Sequence, residues 1–219
     1  MSLKNAVFIP PHHDHVPDLM SDLEAFLHAQ DLFVHPLIRI AIGHYQFETI
    51  HPFLDGNGRQ GRLMISLYLA SEGLLVKPAL YLSDYFERNK TAYIDHLMVV
   101  RQGNHLRAWL IFFLHGIEET ARASAGVFRS ILAIKTRIVR DVPPRFSSRR
   151  QDNAHALMRH LYARPVVDVN MAAEIIGATT NTASALIADM VTHGVLTEVP
   201  GQRRNRLFVF NEYVELFRR

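Results

Sequence analysis

The stretch His51-Pro52-Phe53-Leu54-Asp55-Gly56-Asn57-Gly58-Arg59-Gln60-Gly61-Arg62 constrains this chain more than any other. It gathers an imidazole, a carboxylate, a side-chain amide, glycines and two guanidinium groups, all types that phosphate chemistry uses. Pro52 stops the helix arriving from the N-terminal side and pushes His51 out of the right-handed helical region. Gly56 and Gly58 let the backbone take left-handed angles and approach a ligand with no Cβ in the way. From Arg59 onward, Leu63, Met64 and Leu67 fall at helical spacing, so the loop is expected to open a helix. Unpaired N–H groups and the macrodipole make such a helix start an anion site. The pattern therefore predicts a nucleotide-phosphate pocket with a histidine on its rim.

Gly56 to Gly61 also spells G-x-G-x-x-G, the dinucleotide-binding pattern. That pattern carries meaning only after a strand and within a βαβ unit. Here the preceding run, residues 36 to 50, places Ile38, Ile42 and Tyr45 in helical register and ends at His-Pro. The dinucleotide reading is weak on that ground. A Walker A loop is excluded, since no Gly-Lys-Ser/Thr follows.

The twelve residues resemble the signature of the Fic (Fido) family, H-P-F-x-[D/E]-G-N-[G/K]-R-x-x-R, with every fixed position matched. The likeness extends to the approach His44-Tyr45-Gln46-Phe47-Glu48-Thr49-Ile50, to Tyr81-Leu82-Ser83, and to the helical stretch from Tyr93 to Phe113. It covers roughly residues 6 to 125. The resemblance implies transfer of AMP from ATP to a hydroxyl of a protein. It implies His51 as the general base that takes the proton from a Ser, Thr or Tyr hydroxyl, and Asp55 as the ligand of a Mg²⁺ bridging the α- and β-phosphates. Gly56, Asn57 and Gly58 would cradle the phosphates, with Asn57 placing the α-phosphate. Arg59 would support the β-phosphate and Arg62 the γ-phosphate. Phe53 would anchor the loop in the core. Tyr93 and Arg101 would contribute to the nucleotide-base pocket, although a core aromatic and a solvated charge are equally good accounts of those two. The chemistry of these types agrees: imidazole titrates near neutrality, a hard cation takes carboxylate oxygen, and arginine offers a planar, permanent charge to phosphate.

The 219 residues suffice for one large or two small domains. No apolar run is long enough to span a membrane and no signal peptide is visible. A cytoplasmic protein is the default. The absence of cysteine excludes thiolate nucleophiles, disulfides and Cys-based zinc sites. Charge is unevenly spread: residues 1–134 hold 11 Lys/Arg against 13 Asp/Glu, residues 135–150 hold 6 against 1, and residues 151–219 hold 7 against 7. The basic excess thus belongs to one short stretch and not to a broad nucleic-acid face.

The chain starts abruptly, with a strand-like Ala6-Val7-Phe8-Ile9 soon after Met1. The resemblance implies an upstream β-hairpin flap and, in many members, an inhibitory helix with a Ser/Thr-x-x-x-Glu-Gly/Asn pattern. Neither pattern occurs here, so the expectation is a piece of a longer protein. Pro10-Pro11-His12-His13-Asp14-His15 reads as an exposed polar loop, with metal binding the sharper alternative. Pro17 opens a helix with Leu19, Met20, Leu23, Phe26 and Leu27 on its core face. His44 and Glu48 precede His51 on one helix; core hydrogen bonding is favoured over a His/Glu/His metal site, whose usual spacing is absent. Gly73 is a C′ residue and Pro78 a breaker. Ser83 caps a helix carrying Tyr85, Phe86, Asn89 and Tyr93. A long helical pattern runs from about Asn104 towards Val139, with a break near Gly126.

The expected fold is mainly α: a Fic-type helical bundle over residues 1–140, a basic linker over 141–153, and a small α+β winged-helix domain over 154–219. Val142-Pro143-Pro144-Arg145-Phe146-Ser147-Ser148-Arg149-Arg150 is the boundary. Beyond it, helices at 154–163, 171–176 and 180–191 precede a hairpin of residues 195–199 and 207–210 turning at Pro200-Gly201, which is the winged-helix order. Such folds often bind DNA through the third helix. That helix has no Lys or Arg, though Arg203, Arg204 and Arg206 lie in the wing. DNA, a protein partner and a second copy of the chain all stay open as ligands of this domain. The predicted partners are otherwise ATP, Mg²⁺ and a protein substrate with an acceptor hydroxyl. Two alternatives are weighed beside it: a DNA-binding regulator with a nucleotide-sensing site, and a relative transferring another phosphate-containing group.

Overall fold

The computed structural model describes residues 8–75, 81–141, 148–201 and 206–218. Part of the strand-like start, Pro78, residues 142–147 of the basic boundary, and Arg203 and Arg204 lie outside them. The structure is mainly helical and divides into two compact units, Met1–Ser124 and Ala125–Arg219.

In the first unit, a short 3₁₀ turn at His13–His15 leads into α1 (Val16–His28), which Pro17 opens as expected. Leu23 and Leu27 are its buried face. α2 (Pro36–Ile50) follows, capped by the His35 imidazole, which accepts the Leu37 N–H. Arg39 is buried on α2 and donates to the carbonyls of Leu27 and Leu32, tying the α1–α2 connection down. α3 (Asn57–Ser71) packs along α2. Its C-terminus is a Schellman turn: Gly73 has φ 72°, the Leu74 N–H reaches the Leu69 carbonyl, and the Gly73 N–H reaches Ala70.

The next region corrects the expectation of a helix capped by Ser83. α4 (Leu82–Arg88) and α5 (Lys90–Gly103) are separate helices, and Ser83 lies inside α4 without capping it. Asn89 makes the break, its side-chain amide donating to the Tyr85 carbonyl. α6 (Leu106–Asp141) then runs 36 residues without the break expected at Gly126. Nothing within 4 Å crowds that glycine, and a glycine in an otherwise favourable helix costs only about 1 kcal/mol. The core of this unit is built from Ile40, Ala41, Ile65, Leu69, Phe86, Trp109 and Phe113, among others. Burying each large side chain is worth about 1.5–3 kcal/mol. The Trp109 indole, fully buried, donates to the Ala41 carbonyl at 2.8 Å, so its one polar atom is satisfied.

The second unit begins within α6, whose Ile134 and Ile138 join its core. α7 (Ser148–Leu161) starts inside the stretch expected to be linker. It is followed by β1 (Val166–Val167), α8 (Val169–Ile176), α9 (Thr180–Thr192), β2 (Thr197–Glu198), β3 (Phe208–Val209) and α10 (Asn211–Glu215). β3 is central in an antiparallel three-stranded sheet, with Val166 opposite Val209 and Thr197 opposite Val209 on its two sides. The β2–β3 pairing matches the expected hairpin, whereas β1 was not anticipated. Asp168 caps α8, Gly177 ends it at φ 60°, and Thr179 caps α9. Among the described residues, no helix is long and apolar enough to cross a membrane.

Candidate active site

The motif occupies the junction between α2 and α3. His51 is the C-cap of α2, exposed, with φ 52° and ψ 57°, and its N–H donates to the Phe47 carbonyl at 2.9 Å. Proline at 52 does exclude right-handed helix at His51, but the residue takes the left-handed well instead of the extended one. This is a strained place for a non-glycine residue, costing about 1–2 kcal/mol.

Gly56 is the N-cap of α3 at φ 84°, a conformation that glycine alone adopts freely. Gly58 behaves differently from expectation. It lies inside α3, which starts two residues earlier than Arg59, and takes no positive φ. Its missing Cβ matters for another reason: one placed there would sit 3.1 Å from Arg62 Nη1. No side chain caps α3, so its first N–H groups carry the helix's positive end without an internal acceptor.

The side chains named from the sequence fall into two groups. His51, Asp55 and Arg59 are exposed around the loop, and Arg59 Nη2 is 3.5 Å from Asp55 Oδ2. Arg62, half-buried one turn further, donates through Nε to Ser83 Oγ at 3.0 Å. Ser83 is thus a support for this arginine. Asn57 is buried, and its amide is engaged with the loop itself: Oδ1 accepts the Phe53 N–H and Nδ2 donates to the Phe53 carbonyl. Its side chain shapes the loop and is not aimed outward. Phe53 does not anchor the loop in the core. It is 50% exposed and edges an apolar groove of about 450 Å³ with Phe47, Leu63 and Leu67, while Leu54 is wholly exposed.

Tyr93 and Arg101 stand behind the loop. The Tyr93 hydroxyl bonds His44 Nε2 at 3.0 Å. Arg101 donates through Nη2 to the Glu48 carbonyl at 2.9 Å and through Nε to Thr49 Oγ1 at 3.3 Å, and its guanidinium lies 3.6 Å over the Phe8 ring. It satisfies an orphan carbonyl at the C-terminus of α2, where the macrodipole favours a cation. Both side chains therefore hold the helix that ends in His51. The sequence left a base pocket and a plain structural account equally open for these two residues, and Arg101 is not the solvated charge that the second account supposed.

Beneath the loop lies a buried polar cluster. His44 is fully buried, close to Phe86 and Trp109, and burial pushes its pKa down to about 4. Glu48 is 8% exposed; burial raises its pKa, opposed by the charges of Arg62 and Arg101. Burial likewise raises Tyr93 well above the usual phenol range. His44 and Glu48 both press on Gly61 of α3. Both are buried as a core role requires, but only His44 makes the expected side-chain hydrogen bond, to Tyr93, whereas Glu48 Oε1 is buried without a hydrogen-bond partner; His44, Glu48 and His51 do not present three ligand atoms to one point.

Residues 2–69 match the Fic/DOC family model. Over 113 residues the chain is 34% identical to the protein adenylyltransferase Fic of Culex quinquefasciatus, covering 51% of this chain and 21% of that protein. Over 103 residues it is 33% identical to a probable protein adenylyltransferase of Aquifex aeolicus, covering 47% and 29%. The chain thus spans less than a third of the length of these relatives. Among solved structures, a Fic family protein from Desulfovibrio desulfuricans G20 aligns over 92% of this chain and 56% of its own, with a TM-score of 0.50 and 24% identity, a likeness of fold. Residues 2–69, which include the whole of the loop, are thus similar to the Fic/DOC family, and the adenylyltransferases named here share a likeness with this chain over part of their length.

Proposed function

We propose that the chain carries a protein adenylyltransferase site. A Ser, Thr or Tyr hydroxyl of a target, or of the chain itself, attacks the α-phosphorus of ATP. The bond to the β-phosphate oxygen breaks, pyrophosphate leaves, and His51 takes the hydroxyl proton. The carrying observation is the uncapped N-terminus of α3, set beside an exposed histidine, with Arg59 and Arg62 on its first two turns. Donors fixed before the substrate arrives stabilise developing negative charge with little reorganisation. A general base of this type contributes about 10²–10⁴ in rate.

The donor set fits a magnesium nucleotide. Asp55 is the loop's one carboxylate, its side chain 95% exposed and only loosely paired with Arg59. Mg²⁺ is commonly held by one or two carboxylates plus substrate phosphates, and Asp55 would supply such an oxygen. The N–H groups of Asn57 and Gly58 and the guanidinium groups of Arg59 and Arg62 would hold the polyphosphate. Asn57 acts here through its main chain and through the loop shape its amide maintains.

The decisive experiment supplies Mg²⁺ and ATP labelled at the α- or the γ-phosphate, with a host lysate, to the wild type and to His51→Ala. Label on protein from the α-phosphate alone, lost in His51→Ala, is the expected result. Label from the γ-phosphate would replace adenylylation with phosphoryl transfer.

For the second unit we propose a winged-helix domain, supported by its order of helix, strand, two helices and two strands around one antiparallel sheet. DNA binding draws little support. Two of its described arginines, Arg150 and Arg206, are paired with Asp189 and Glu198, and α9 brings no cation of its own. A gel shift that weakens as salt is raised would restore the DNA-binding reading, and no shift even at low salt would remove it.

A further inference from the structure

We infer that His12, His13 and Asp14 form a binding site for one divalent transition-metal ion of the zinc class, separate from the phosphate loop. These three residues bring one ligand atom each within 4.8 Å of one another, the one such trio among the described residues. His12 Nδ1 is 3.2 Å from Asp14 Oδ2, and His13 Nδ1 is 2.9 Å from Asp14 Oδ1. The two imidazole rings lie 4.2 Å apart at 33°, on the same side of the turn as the Asp14 carboxylate that both approach.

The spacing suits a metal. Zinc binds imidazole nitrogen and carboxylate oxygen at about 2.0–2.2 Å, which puts the edges of its tetrahedron at about 3.3–3.5 Å. The imidazoles face the two different oxygens of Asp14, His12 at 3.2 Å and His13 at 2.9 Å, each within about half an ångström of such an edge, so a small turn of the exposed carboxylate seats one ion between all three side chains. Two imidazoles and one carboxylate are also the donor set of many open zinc sites, where water or a further ligand takes the fourth position. The backbone is stiffened on both sides: Pro10 and Pro11 precede the trio, which runs through a 3₁₀ turn straight into α1 with Pro17 in its first turn. Less ordering is then left for the ion to impose. Without an ion, His12 Nδ1 accepts the Asp14 N–H at 3.5 Å and His13 Nδ1 faces Asp14 Oδ1 at 2.9 Å; a metal would replace both contacts and displace the His13 proton.

The site is exposed and three-coordinate from the protein, so its affinity is expected on the order of micromolar and not at the level of closed four-ligand sites. The same exposure makes it cleanly testable, because surface substitutions here alter stability by less than about 0.5 kcal/mol. The tag-free full chain is titrated with Co²⁺, reading its visible d–d absorption, and then with Zn²⁺ in competition, in excess Mg²⁺ to occupy hard-oxygen sites. The expected result is one ion per chain with a four-coordinate cobalt spectrum, weakened about tenfold or more by His13→Ala and by Asp14→Asn. Absence of binding in the wild type, or binding unchanged in the double variant, overturns the site. The latter outcome would assign the ion to others of the chain's 13 histidines.

Discussion

Asn57 closes on the main chain of Phe53 in both directions, its Oδ1 accepting the Phe53 N–H at 2.9 Å and its Nδ2 donating to the Phe53 carbonyl at 2.6 Å. One buried amide thereby substitutes for two backbone partners that a tight turn cannot supply. Asn57→Ala leaves both Phe53 groups without that partner, at a cost of about 1–3 kcal/mol. Asn57→Asp keeps the acceptor but sets a carboxylate against a carbonyl oxygen, and is expected to be at least as damaging. Urea unfolding should show both losses, and label transfer from ATP should fall in both. A label rate unchanged in a destabilised Asn57→Ala chain would separate the loop's shape from its chemistry and overturn the role given to this residue.

The left-handed backbone of His51 separates chemistry from stability in the opposite sense. His51→Ala removes the imidazole but keeps a Cβ in the strained well, so its folding stability should stay near wild type. His51→Gly removes both, and should be more stable than His51→Ala by about 1 kcal/mol. Both should lose about 10²-fold or more in label transfer. Denaturant midpoints and rates, measured on the same preparations, check this; a His51→Gly chain less stable than His51→Ala would contradict the backbone account.

Local patterns were legible in the sequence, and side-chain partnerships over long separations were not. The apolar spacing of Leu23 and Leu27, the His-Pro stop, the left-handed Gly56 and the C′ position of Gly73 each act through a few neighbouring residues. They were placed correctly for that reason. Tyr93 meets His44 across 49 residues and Arg101 meets Glu48 across 53, and both pairings depend on where α5 falls beside α2. No spacing rule carries that information, so both residues were open between ligand and framework. α7 begins among basic residues that resemble a solvated linker, yet Arg and Gln are good helix formers once a core face exists. β1 has only two residues, Val166 and Val167, too few for alternation to register.

Gly61 of α3 lies against the buried side chains of Glu48 and His44 on α2. A Cβ there would meet Glu48 Oε1 at 2.6 Å, His44 Cε1 at 3.0 Å and His44 Nδ1 at 3.1 Å. Gly61→Ala therefore overpacks a polar, buried contact and is expected to destabilise by about 1–3 kcal/mol despite the better helix propensity of alanine. The clash is with one carboxylate in particular, so in a Glu48→Ala background the same change should cost less. A double-mutant cycle measures this coupling; strictly additive effects of the two substitutions would place the strain elsewhere.

His44 makes stability depend on pH with a sign that follows from its burial. Its pKa is about 4 in the fold against an ordinary 6.5, so the unfolded chain takes up the proton first as the pH falls. The stabilisation is complete above about pH 6.5 and is lost progressively as the pH drops towards about 4, by roughly 3 kcal/mol in all. Glu48 works the other way in an overlapping window: its raised pKa favours the fold where the carboxyl keeps its proton, and that contribution fades as the pH rises. The two slopes must be separated. In a Glu48→Gln background, unfolding free energies measured from about pH 7 to about pH 4 should fall more steeply for the His44 chain than for its His44→Phe counterpart. Other carboxylates titrate alike in both, so the difference isolates the imidazole. Parallel curves would mean that His44 takes up its proton at the same pH in the folded and unfolded chain, and that its burial does not shift its titration.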